Sequence, residues 1–482
     1  MLIFFIEIKR FFYNLSNKIS HLCTLKKISF FFTEINKKIF YKMLKFNHLL
    51  LTIILCVFGI SLHAQDKITL NEAIEIALSE SNSIKIADMT IEKTGYAKKG
   101  AYSALYPNIS ASGSYQRTLK KQKMAMEMNG QAMEIEVGMS NNVSAGITAA
   151  MPLVNAQLWQ SLKLSALDVE LAIEQARSSR ISMVSQVKQA FYAVLLAKEA
   201  YNVYKEVYDN AQKNFEDVEK KYNVGKASEF EYLRAKVNVN NSEPEVYSAE
   251  NAVVLAIWQL KAIMGIDLAT EIDVEGALSD YSNEMVVSLA NDTVSFENNT
   301  NLLQLRLQDE MLSRTIKMTK FQYIPTLAAQ FSYNYMAMGN TFDMNWNPYS
   351  IVALSLNIPI FDGFSKHNNI RQYQKTQDIL RLNMEDVERN LNIALENYRD
   401  KMNTSVKRYT AAEATLEMAQ KSYNISEKMY EVGKATLVEL NDAQLALTQA
   451  QLTMSQAIYQ YMTNKAAIDE LMGVEYVTEE NK

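Results

Sequence analysis

Between residues 183 and 222 the apolar side chains return every four and then every three positions: Met183, Val187, Ala190, Val194, Ala197, Tyr201, Tyr204, Tyr208, Ala211, Phe215, Val218 and Tyr222. A seam with that 3.5-residue period is a heptad, and it predicts a helix that coils left-handedly against neighbours. A second seam runs from Leu391, Leu395, Tyr398 and Met402 through Tyr409, Leu416 and Tyr423 to Tyr430, again without a charge. Neither glycine nor proline interrupts residues 157–224 or 364–432. Helices of that length are rods of about 100 Å at 1.5 Å per residue, longer than an ordinary globular domain.

Elsewhere the period falls to two. Ile109, Ala111, Gly113 and Tyr115 alternate with Ser110, Ser112, Ser114 and Gln116, and Val143, Ala145, Ile147 and Ala149 alternate with Ser144, Gly146 and Thr148. The later half carries Leu327, Ala329, Phe331, Tyr333 and Tyr335 against Gln330, Ser332 and Asn334, then Val352, Leu354, Leu356 and Ile358 against Ser355 and Asn357. Alternation over about ten residues is the pattern of a membrane strand, although a half-buried soluble sheet alternates as well. Strands are expected at about 108–117, 142–151, 326–336 and 349–358. A helical segment over residues 70–105 precedes the first pair and stops before Tyr106 and Pro107, since the residue before proline avoids helix.

The two halves repeat one order of elements. Tyr222-Asn223-Val224-Gly225-Lys226-Ala227-Ser228 recurs 208 positions later as Tyr430-Glu431-Val432-Gly433-Lys434-Ala435-Thr436, and Met264-Gly265 recurs as Met472-Gly473. Gly225 and Gly433 end the long helices, as glycine does when it takes positive φ, and a shorter helix returns from each. The expected division is a first repeat over 66–266 with its helical hairpin at about 157–264, a connecting equatorial segment over 267–300, a second repeat over 301–474 with its hairpin at about 364–472, and a tail over 475–482. Pro244, inside the first return helix where Leu452 stands in the second, predicts a kink or break near Asn241.

Residues 1–65 read differently. Residues 43–65 hold Lys45, an apolar run over 49–60 and a polar end with Ala64 before Gln65, which is a secretory signal peptide cleaved after Gln65; the run is too short to span a membrane. Residues 1–42 form an upstream extension, with Met43 the expected start. Nine of the 49 basic and two of the 54 acidic residues lie in 1–65, so the mature chain keeps 40 against 52, a net charge of −12. An acidic secreted chain is not a nucleic-acid binder. Both cysteines, Cys23 and Cys56, and all histidines but His367 fall in the removed part, which takes away most of the residues of a thiol, histidine or metal-dependent enzyme. With no phosphate loop or catalytic set in the rest, neither an enzyme nor a cofactor is expected. Met124, Met126 and Met128, near Met133 and Met139, raise a soft-metal site, weighed against methionine as an adaptable packing residue and against a spacing that also fits a strand continuing past the membrane.

Four strands cannot close a barrel, and an open sheet edge in lipid leaves backbone groups unpaired. Three copies give twelve strands, an even number, and with them enough helices for a twelve-stave tube. The connections over 117–141 and 336–348 would then face outward and the helices would enter the periplasm. The order of elements over residues 66–474, with YEVGKATLVELNDAQLALTQAQ, resembles the outer-membrane efflux protein (TolC) family. That resemblance implies a mainly α fold with a membrane β-barrel: long coiled-coil hairpins forming a periplasmic tunnel below a 12-stranded barrel in a homotrimer. It implies a passive exit duct in a Gram-negative outer membrane, serving efflux or type I secretion with a periplasmic adaptor and an inner-membrane transporter. The adaptor-contacting tips would be Val224, Gly225, Lys226 and Ala227 with Val432, Gly433, Lys434 and Ala435. Glu439 and Asp442 would narrow the periplasmic gate beside Tyr430, itself a heptad position whose default role is packing. The rival reading is a surface-associated structural or adhesive coiled-coil protein, which has no need of membrane strands.

Overall fold

The computed structural model describes residues 66–128, 131–286 and 295–477. The expected signal peptide over 43–65, the expected upstream extension over 1–42 and the end of the tail lie outside the described residues. The elements are β1 (Asp66–Ile68), α1 (Leu70–Glu80), α2 (Asn82–Ser103), β2 (Asn108–Arg117), β3 (Gln122–Met128), β4 (Gln131–Val137), β5 (Asn141–Val154), α3 (Ala156–Asn223), α4 (Glu229–Met264), β6 (Ile272–Val274), a 3₁₀ stretch (Leu278–Val286), α5 (Thr300–Phe321), β7 (Thr326–Gly339), β8 (Trp346–Asn357), α6 (Ser365–Glu431) and α7 (Leu437–Met472).

The long helices α3 and α6 have 68 and 67 residues and the return helices α4 and α7 have 36 each. Within the chain α3 packs against α1, α2, α4, α5 and α7, whereas α6 packs against α5 and α7. The largest core gathers around Val187, Phe191, Val194 and Leu195 of α3, with Leu260 and Met264 of α4, Ile458 and Tyr461 of α7, and Ile74 of α1. The 3₁₀ stretch closes over it through Leu278, whose amide donates to Glu199 Oε1 at 2.9 Å.

Two features differ from the periodicity reading. The segment over 70–105 is two helices, because Ser81 leaves the helical region at φ −60°, ψ 129° and turns its hydroxyl to the amide of Ser83, capping α2. Serine offers the backbone this alternative partner, and Asn82-Ser83 after it favours a restart over continuation. Conversely α4 runs unbroken through Pro244, which lacks the N–H that would bond the carbonyl of Asn240; tertiary packing of Val239, Ser242 and Ala249 on either side holds the helix together.

Strands β2, β5, β7 and β8 form one antiparallel sheet in the order β2-β5-β7-β8. Its register sorts the chemistry by face. Ile109 pairs with Ala149, Ala149 with Phe331 and Phe331 with Val352, while Ser110 pairs with Thr148 and Thr148 with Ser332. Ile109, Ala149, Phe331 and Val352 therefore share one side, and Ser114, Ser144, Ser332 and Asn334 share the other, where the Ser114 and Ser144 hydroxyls meet at 2.8 Å. Both edge strands are open, and every residue of β2 and β8 is exposed. Among the described residues no helix is long and apolar enough to cross a membrane.

Candidate functional site: the helix-turn tips

At the far end of the helices the two chain reversals share one geometry. After Val224 and Val432 close the helices, Gly225 and Gly433 take φ +72° and +73°. The amide of Lys226 reaches back to the carbonyl of Lys221 and that of Lys434 to Met429, both at 2.7 Å, and the glycine amides donate to Tyr222 and Tyr430 at 2.9 and 3.0 Å. This double closure satisfies carbonyls that a helix end leaves orphaned, and it requires the left-handed residue glycine supplies. A Cβ at either glycine would meet nothing within 4 Å, so the requirement is conformational and the space beyond is open.

The return helices begin with matching capping boxes. Ser228 N and Oγ donate to Glu231 Oε2 at 2.8 and 3.1 Å, and the amide of Glu231 donates to Ser228 Oγ at 3.2 Å. Thr436 N and Oγ1 donate to Glu439 Oε2 at 2.7 and 3.0 Å, answered by the amide of Glu439 at 3.3 Å. Val224, Lys226, Val432 and Lys434 are exposed, with Ala227 and Ala435 half-buried beneath them. The tips are therefore rigid hydrogen-bonded turns that present small and basic side chains to solvent.

Glu439 and Asp442 do not act alike within the chain. Glu439 is exposed, but one carboxylate oxygen is held by Thr436, and those hydrogen bonds, the backbone one foremost, hold its carboxyl below the usual glutamate range. Asp442, also exposed, lines a groove of about 310 Å³ among α3, α4, α6 and α7 with Asn210, Asn238, Asn441 and Gln444. Two amide contacts, Asn210 Nδ2 to Gln444 Oε1 at 3.3 Å and Asn238 Nδ2 to Asn441 Oδ1 at 3.4 Å, cross it. Tyr423 closes one side, its phenol pushed up to about 12 by burial, with Glu427 and Glu206 adding to the effect. Tyr430 is half-buried against the first tip, with the Lys221 ammonium 5.5 Å from its ring centre. Burial, then Glu231 and Asp217, raises the Tyr430 pKa. Below the turns Val218, Ala235, Leu437, Leu440 and Leu447 form a small core shared by both hairpins.

The capping role of Glu439 and Glu231 escapes a reading based on charge and repeat position, though Thr-x-x-Glu and Ser-x-x-Glu ahead of an apolar run are its sequence signature. The amide-lined groove has no such signature, because its members come from four helices.

The family model described as outer membrane efflux protein matches residues 73–266 and 294–474. Outer membrane protein TolC of Escherichia coli is 22% identical over 348 residues, covering 69% of this chain and 70% of that protein. Alkaline protease secretion protein AprF of Pseudomonas aeruginosa is 21% identical over 335 residues, covering 68% of this chain and 69% of that protein. The crystal structure of the outer membrane protein VceC of Vibrio cholerae superposes with a TM-score of 0.67 at 14% identity, over 85% of this chain and 97% of that one. With residues 73–266 and 294–474 matched in sequence and the four-stranded sheet joined to paired long helices, the chain belongs to the outer membrane efflux protein family.

Proposed function

We propose that three copies of this chain close into a passive exit duct of a tripartite efflux or type I secretion system. Their sheets would form a 12-stranded barrel in the outer membrane of a Gram-negative bacterium and their helices a periplasmic tunnel. One observation carries the reading: both flanks of the chain are unfinished in the same way. Edge strands β2 and β8 lack partners on their outer sides, and an open edge in lipid leaves each backbone group unpaired at several kcal/mol. The helices in contact run in the order α4, α3, α7, α6, and both outer members are apolar on their free sides. On α4 Phe230, Leu233, Val237, Tyr247, Val254 and Trp258 are exposed at heptad spacing, and on α6 Ile393, Met418, Ile425 and Met429. Stacking α4 of one copy on α6 of the next, and β2 on β8, would complete both layers by one rotation. Twelve strands is the smallest closed number consistent with threefold symmetry and an even count.

In this duct the tips Val224 to Ala227 and Val432 to Ala435 dock a periplasmic adaptor, which connects to an inner-membrane transporter. Tyr430, Glu439 and Asp442 stand at the periplasmic gate, where Glu439 first stiffens the turn and Asp442 is the carboxylate free to face the axis. The relatives above are an outer membrane protein and a secretion protein, which gives the adhesive reading no support. Native mass analysis in mild detergent tests the assembly: a particle of three chains is expected, and a stable monodisperse monomer overturns it.

A further inference from the structure

We propose that the part of the duct inside the outer membrane is blind to charge: cations, anions and neutral polar cargo enter it on equal terms, and selection by charge is left to the helical tunnel below. The proposal rests on the duct reading above. Strands β2, β5, β7 and β8 hold a single charged residue between them, Arg117, which ends β2 in phase with its apolar residues. The opposite phase runs across the sheet in paired rows, Ser112 to Gly146 to Asn334 to Tyr349 and Ser110 to Thr148 to Ser332 to Ile351, and it carries no charge at all. Its polar members are hydroxyls and carboxamides, among them Ser112, Thr148, Gln330, Asn334 and Ser355. In a barrel whose apolar face meets lipid, this is the face turned to the bore.

Two observations carry it. Lys, Glu, Arg and Asp collect wherever a protein meets water, and α6 shows them along its length, with Lys375, Asp378, Glu396, Glu417 and Lys421 exposed. The polar face of the sheet is exposed as well, at Ser112, Gln330 and Ser355, yet it stays neutral. The second observation is that its polar groups satisfy one another along the wall. Ser114 and Ser144 hydroxyls meet at 2.8 Å, Asn334 Nδ2 donates to Ser332 Oγ at 3.3 Å, and the Asn334 amide folds over Gly146, where a Cβ would stand 2.1 Å from Asn334 Oδ1. Twelve strands spaced about 4.8 Å apart and tilted about 40° close at about 24 Å between backbones, narrow enough for a ring of like charges to set the field across the bore. Without such a ring the wall prefers neither sign. Carboxylates at the tips lie about 100 Å below, at the far end of α3, many times the Debye length of about 8 Å, so their field does not reach the sheet.

The experiment reads the local potential directly, in the purified full-chain assembly. With Cys23 and Cys56 replaced by serine, Ser112→Cys or Ser355→Cys leaves one thiol per copy on the polar face. Each is reacted with two methanethiosulfonates of similar size, a cationic ethylammonium and an anionic ethylsulfonate, and the ratio of the two rates is divided by the same ratio for free 2-mercaptoethanol. The quotient is expected to lie within about fivefold of one at both positions; a larger preference for either reagent overturns the proposal. Gln330→Glu, diagonal to Ser355 across the β7 and β8 pair, should then shift the quotient at Ser355→Cys toward the cationic reagent by at least about fivefold, and a smaller shift would show that this face does not set the field of a bore. Circular dichroism and particle mass check that each variant keeps the fold. Leu354→Cys, on the apolar phase, separates the two ways of failing: it should resist both reagents, and if it reacts as fast as Ser355→Cys the duct reading itself falls.

Discussion

Return helices α4 and α7 have the same length and begin with the same kind of capping box, yet they meet different surroundings. Helix α7 lies between α3 and α6, and among its large apolar residues in the described chain only Leu445 is exposed. Helix α4 packs on α3 and leaves a heptad row from Phe230 to Trp258 in the open. Equal hydrophobicity with unequal burial separates two jobs: α7 completes the chain, and α4 would meet a neighbouring copy in the proposed assembly. Long helices α3 and α6 show the same contrast, with α3 buried from several sides and α6 open along one.

If that division is right, charges on the open row of α4 have the largest effect. Val254→Glu with Trp258→Glu should abolish the three-chain particle while helix content and single-chain folding persist, read by native mass and circular dichroism. A surviving trimer would place the α4 row elsewhere than between copies. On α7 the effect should be on folding: Leu447, 1% exposed, shared with the tip core, should cost about 3 kcal/mol as Leu447→Ala, and exposed Leu445→Ala less than about 0.5 kcal/mol. Equal costs in denaturant unfolding would erase the contrast between the helix's two faces.

The turns give smaller effects. Gly433→Val forces a β-branched residue to φ +73°, a strain of about 1–2 kcal/mol, while the space around it is open. Trimers should still form, and efflux in a complemented strain should fail through lost adaptor docking; full efflux would remove that role from the tip. Thr436→Ala deletes the cap at a cost of about 1 kcal/mol. Because the folded-state pKa of Glu439 lies below its unfolded value, the box contributes above the ordinary carboxylate range and is lost as pH falls through the depressed pKa. Amide exchange at residues 436–439 should accelerate on acidification, and Glu439→Gln should flatten that response.

Much of this architecture is legible in the sequence because its signals are long and uninterrupted. A run free of glycine and proline from 157 to 224 leaves little alternative to a helix like α3, and period-two alternation separates Ile109, Ile147 and Phe331 from Ser110, Thr148 and Ser332 onto faces the register then joins. Short-range hydrogen bonding is harder to read. Ser81 ends α1 through one side-chain bond, and Glu439 looks like a free gate carboxylate until its bond to Thr436 is seen. The connection between β2 and β5 reads as a loop in which the methionine spacing fits a strand, and there β3 pairs with β4, a partner the sequence does not announce. At Pro244 the break that the local rule allows does not occur, since α4 runs on through it.

A closed barrel requires that the open edges β2 and β8 of neighbouring copies join. With Cys23 and Cys56 replaced by serine, Ser112→Cys on β2 can be combined in turn with cysteine at Ile351, Ala353 or Ser355 on β8, at the opposite edge of the four-stranded sheet. A disulfide needs Cα atoms about 5.5 Å apart, which strands at opposite edges of one sheet cannot meet and paired strands of adjoining copies can. Oxidation in the membrane should give covalent dimers and trimers on a non-reducing gel for at least one of the three pairs, and monomers throughout would contradict a closed barrel of several chains.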